Sequence, residues 1–227
     1  MSKILRTIGI VLMGLTAAFT LASGAGTTCV ALAAENFGES MAPIAPYKWL
    51  YIIFVIVTIA IGVMGVRAVV LLNKGRPNAY RYSVIFMLLG IFVGAIHMAV
   101  SRALRGSSMP VDGVVYTTVL TLIVFLIFRI PTVWIKVGFE KSARDDDSGP
   151  KAAAITLLLS GALFLTVQYW AGPTHTWDGV NWADAWHLSM AVVGWGLALA
   201  GMGILIIPLI RRKGTEPIPA AVPGQQP

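Results

Sequence analysis

Six apolar runs, each long enough to cross a bilayer, fill this chain: Ile8–Ala31, Trp49–Leu72, Val84–Ala103, Val114–Trp134, Ala152–Trp170 and His187–Ile210. A hydrocarbon core about 30 Å thick takes about 20 apolar residues of helix to span. Inside it, backbone amides find partners only within a helix or a closed barrel, so uninterrupted apolar runs of this length dictate helices. The expected fold is all-α, a polytopic transmembrane helix bundle with six spans. Charged residues make up only 12% of the chain, against about 25% in soluble proteins, which excludes a soluble fold. The polar stretches between spans are too short for domains of their own, so residues 1–213 read as one membrane domain. The remainder, 214–227, is rich in Pro, Ala and Gln and is expected to be a disordered tail.

The flanking charges set an orientation. With the N-terminus in the cytoplasm, the inner side receives Lys3 and Arg6, then Lys74, Arg76 and Arg81, then Lys136, Lys141, Arg144 and Lys151, and last Arg211, Arg212 and Lys213. Only Lys48, Arg102 and Arg105 fall outside. The positive-inside rule therefore places both termini in the cytoplasm, in a multi-pass protein of the cell membrane. Arg67 and Arg129 lie close enough to the inner ends of their spans to snorkel, and Pro131 is expected to kink or end the fourth helix. The net charge of +7 is thus a topological signal, and nucleic acid is not an expected partner. The first run, with Lys3 and Arg6 before it and Ala31-Leu32-Ala33 at its end, also has the order of a secretory signal. Its apolar part exceeds the roughly 7–15 residues of a signal core, so it is expected to stay as a span. Cleavage would leave five spans with the orientation after Glu35 unchanged. A lone Cys29 excludes an internal disulfide or a dithiol mechanism.

Where lipid is as apolar as the side chains, small residues mark the faces along which helices approach. Three spans carry such stripes: Gly14, Ala18, Ala22 and Gly26 in the first; Gly90 and Gly94, followed by His97 and Ser101, in the third; Ala191, Gly194, Ala198 and Gly201 in the sixth. They serve helix packing, a partner helix, or a flat cofactor between helices. These faces make other membrane subunits, or a second copy, expected partners beside the lipid bilayer.

The three histidines, His97, His175 and His187, all fall toward the expected outer side. Arg102 and Arg105 follow His97 on its helix, Arg105 on the same face and Arg102 turned away. Asp112 follows, and the last outer loop holds Trp170, Trp177, Asp178, Trp182, Asp184 and Trp186. The tryptophans fit an interfacial aromatic belt, and the arginines fit ion pairs with Asp112, Asp178 or Asp184. An imidazole in or beside hydrocarbon is costly unless it is paired or ligated. Three chemistries use such a cluster. Haem b takes one imidazole from each of two helices and a cation near its propionates, for which His97, His187, Arg102 and Arg105 are the candidates. A quinone pocket needs a histidine, a carboxylate and aromatic walls, a role for His187, Asp184 and the tryptophans. A metal ion would use His175, His187 and Asp184 or Asp178.

Glycine-rich phosphate loops, HExxH and GxSxG are absent, so no catalytic activity of its own is expected. The leading functional expectation is an accessory subunit of a larger electron-transfer membrane complex, its outer cluster contacting haem, quinol or a partner. The alternative is a channel or transporter in which His97, Thr117, Thr121 and the outer arginines line a path for an anion or small polar solute.

Overall fold

The computed structural model describes residues 2–139, 148–172, 176–177 and 179–213. They are almost entirely helical. In chain order the helices are α1 (Ser2–Ala33), α2 (Lys48–Asn73), α3 (Ala79–Arg105), α4 (Val111–Phe128), α5 (Pro131–Val137), α6 (Ser148–Leu165), α7 (Val167–Trp170), α8 (Trp182–Ala185) and α9 (His187–Lys213). A two-stranded hairpin, β1 (Thr176–Trp177) and β2 (Val180–Asn181), precedes α8. Six of these helices are long and apolar enough to cross a membrane, as the apolar runs require.

Two runs are divided. The fourth ends at Phe128, and after an extended Ile130 (ψ 127°) Pro131 opens the separate short helix α5. A residue before proline is driven to extended backbone, so the helix stops there. The fifth ends at Leu165, one residue before the break at Thr166 that starts α7. Residues Lys141, Arg144, the Asp145–Asp147 run, His175, Asp178 and the tail 214–227 lie outside the described residues.

α1 packs against α2, α4 and α6, while α3 closes the far side against α2 and α4. In α1, 44% of the apolar window is buried, against 17% in α9, so α1 is the centre and α9 the periphery. α9 packs chiefly on α6. There the stripe expected from sequence does its work: a Cβ on Gly194 would meet Gly161 O at 3.0 Å, and one on Gly201 would meet Ala154 O at 2.9 Å. Gly14 likewise lets α1 approach Thr156 of α6. Gly194 and Gly201 bring the backbones of α6 and α9 together, and Gly14 brings α1 onto the Thr156 side chain, leaving no room for a flat cofactor at these three positions.

One end of the bundle is tied by a residue that the charge pattern read as a topology marker alone. Arg6 is 2% exposed. Its Nη1 donates to Gly138 O at 3.4 Å, and its Nη2 to Leu72 O and Asn73 O at 3.3 Å each. These carbonyls lie at the C-terminal ends of α5 and α2, where helix dipoles concentrate negative charge. Beside it Phe125 stacks on Phe139 (centroids 5.6 Å apart), and Tyr80 Oη donates to Phe125 O at 2.9 Å. Arg129 lies over the rings of Trp134 and Tyr80 at 4.9 and 5.8 Å, and Arg67 over Tyr82 at 5.4 Å. Both are held by aromatic faces.

Candidate functional site

The opposite end, where α3 stops, holds His97. Gly106, at φ +70°, ends α3 with its N–H donating to Arg102 O, a left-handed cap that glycine adopts without strain. Two turns back, His97 is 4% exposed. Its ring stacks on Phe54 of α2 (centroids 4.3 Å apart, 13° between planes) and lies edge-on to Tyr51 at 5.3 Å. Tyr51 Oη and Ser101 Oγ share a hydrogen bond of 2.8 Å. The imidazole itself makes no hydrogen bond among the described residues. It lines a narrow cleft bounded by four helices: Thr20 and Ser23 of α1, Thr58 and Ile61 of α2, Gly90 and Gly94 of α3, Val115 and Thr118 of α4.

A second recess lies toward the end of α3, lined by Thr27, Ile44, Tyr51, Ser101, Arg105 and Pro110 among others. Val111 lines both, and Tyr51 lies against His97. The layer of Tyr51, Ser101 and Val111 therefore separates recess from cleft. Each space has room for a few water-sized groups at most. Beneath the cleft Thr16 Oγ1 and Thr121 Oγ1 meet at 2.8 Å, fully buried. Met13 and Phe125 pack one turn further. The cleft has a floor.

The two arginines separate as their helical positions require. Arg102 Nη2 bonds Asp112 Oδ2 at 2.9 Å and its Nε donates to Ser108 Oγ at 2.8 Å. Arg105 turns to the recess, donates to Met109 O, and has no ion-pair partner among the described residues. The chain matches no family model, no curated protein and no solved structure.

His187, the first residue of α9, is exposed, as is Asp184 in α8. Trp186, the C-cap of α8, stands between the two helices. No residue of α9 lines the cleft or the recess. Haem b needs a facing imidazole and a wide flat slot. His97 has a phenyl ring against its face and water-sized space beside it, so the residues expected to hold haem do not fit it. The histidine and carboxylate assigned to a quinone pocket are on the surface, with Trp182 and Trp186 36% and 56% exposed. Among the described residues no three His, Cys, Asp or Glu side chains converge as a metal site, and His175 lies outside them.

Of the threonines expected to line a path, Thr121 forms the floor, and Thr117 bonds back to Gly113 O at 2.7 Å. Its neighbour Thr118 is the one in the cleft. Sequence reasoning missed Tyr51, Phe54, Thr20, Ser23 and Thr58. A signal existed for α1, where Thr16, Thr20, Ser23 and Thr27 recur at helical spacing beside the more conspicuous glycines.

Proposed function

We propose that the protein binds and transfers a small polar solute across the membrane, with the His97 cleft as its binding site and the Arg105 recess as its vestibule on the outer side. One observation carries this reading. A histidine buried to 4% exposure, with no hydrogen bond among the described residues, lines a hydroxyl-bearing cleft between four helices. The imidazole belongs to the cleft wall and its nitrogens are not sealed inside the bundle, so a bound solute would give them the partners that an imidazole in an apolar setting requires. The floor beneath the cleft favours a carrier with one side open at a time over a continuously open channel.

Purified protein in liposomes tests this. A panel of small solutes should include one whose flux exceeds that of protein-free vesicles and falls several-fold in both His97→Ala and Thr118→Val. Flux equal to that of empty vesicles for the whole panel, or flux unchanged in both variants, would sink the reading.

The second reading is a subunit role in a larger assembly of the electron-transfer type, for which α9, the least buried of the six long helices, offers the most open flank. α9 is covered chiefly on its α6 side, leaving Leu188, Val192, Trp195 and Leu199 56–77% exposed. Extraction in mild detergent tests this second reading. Co-purifying subunits support it, and a chain that elutes alone overturns it.

A further inference from the structure

The lining of the cleft names the chemistry of its solute. The Thr20 hydroxyl donates to Thr16 O and the Thr118 hydroxyl to Val114 O, both at 2.7 Å. A hydroxyl has one hydrogen, so these two present lone pairs to the cleft. Ser23 and Thr58 donate no side-chain hydrogen bond among the described residues and are able to turn either way. His97, as a neutral ring, offers one donor and one acceptor. Among the described residues no lysine, arginine, amide side chain or indole lines the cleft. The nearest such group is Arg105, which lines the recess above but not the cleft.

An anion seated here would trade its hydration shell for a lining weighted toward lone pairs and without a positive charge, which is unfavourable. A cation entering from the recess would meet Arg105, which forms no ion pair among the described residues although the Asp112 carboxylate offsets part of its charge, and the positive charge that remains repels it. The remaining class is a neutral molecule that donates hydrogen bonds and is no larger than the water-sized space. We infer that the solute of this cleft is a small neutral hydrogen-bond donor of the size of water or ammonia. This rests on the proposal that the cleft binds a transferred solute.

Gly90 supplies a clean perturbation. A Cβ there would meet only Ile61 Cγ2 at 3.7 Å and Thr118 Cγ2 at 3.8 Å. Gly90→Ala therefore adds a methyl group to the cleft wall at ordinary contact distances.

The experiment compares proteoliposomes of wild type, Gly90→Ala and Thr58→Val in three assays: osmotic water permeability by light scattering, ammonia entry by an internal pH dye, and chloride entry by a quenched dye. Water or ammonia permeability above that of protein-free vesicles is expected, with chloride at background. Thr58→Val should lower the neutral flux by about five-fold, the worth of one hydrogen bond, and Gly90→Ala should lower it as well. Circular dichroism of both variants should match wild type. Chloride entry with no water or ammonia flux overturns this inference and leaves the transfer proposal standing. Neutral flux that both variants leave unchanged overturns the placement of that solute in the cleft. Background flux for all three solutes, extended to the wider panel above, overturns both.

Discussion

At the scale of single residues, Arg6 and His97 show two ways in which a polar side chain survives in an apolar bundle. The guanidinium of Arg6 is surrounded by the carbonyl oxygens of two helix ends. Arg6→Ala strips donors from those carbonyls, and its expected cost is about 3 kcal/mol, the range for hydrogen bonds made by a charged group. Arg6→Lys should recover only part of this, because an ammonium lacks the planar fork that reaches carbonyls of α2 and α5 together. Thermal unfolding in detergent checks both, and equal midpoints for wild type and Arg6→Ala would refute the tie. The Thr16–Thr121 pair should matter less. Thr121→Val is expected to cost about 0.6 kcal/mol, typical of interhelical hydrogen bonds in membranes, read by the same unfolding measurement.

These residues also mark the limit of what the amino-acid order discloses. His97 was legible as a candidate because an imidazole in a span is costly wherever it points. Its stacking on Phe54 was not legible, since contact across two helices depends on their rotation about each other, which no spacing within one helix records. The division of labour between Arg102 and Arg105 was legible, because it needs only the helical period. The burial of Arg6 was not legible for the opposite reason: positive charge at a span's end fits the topology rule so well that burial gave no separate signal.

At the scale of elements, the small-residue stripes divide by their surroundings. Gly194 faces Gly161 O, whereas Gly196 on the same helix has nothing within 4 Å of a Cβ position. Gly194→Val should push α9 away from α6 and cost about 1–3 kcal/mol, the usual range for overpacking. Gly196→Val should be nearly neutral. Unfolding midpoints of the two variants provide the comparison, and equal effects would contradict the helix rotation described here. The stripe on α9 was readable in advance, but its counterpart on α6, Ala154 and Gly161 two turns apart, was not, because Leu157 and Leu158 fill the turn between them. The break after the fourth run was readable because Pro131 restricts Ile130 whatever surrounds it.

At the scale of the whole molecule, apolar length alone sufficed to count six helices long enough to cross a membrane, while the orientation is an expectation from flanking charge alone. That orientation is testable with one engineered thiol per end. Glu39 and Asn78 are exposed turn residues on opposite sides of α2. In a Cys29→Ser background, Glu39→Cys should react with a membrane-impermeant maleimide in intact cells, and Asn78→Cys only after permeabilisation. The reverse pattern would invert the bundle and put the Arg105 recess on the cytoplasmic side.

The arrangement of helices around α1 carries one more consequence. Every residue lining the recess and the cleft lies between Thr20 and Thr118, and α1 to α4 enclose both. Synthesis runs from the N-terminus, so every residue of this polar site is made before α6 and α9, the pair that packs on α1 from outside.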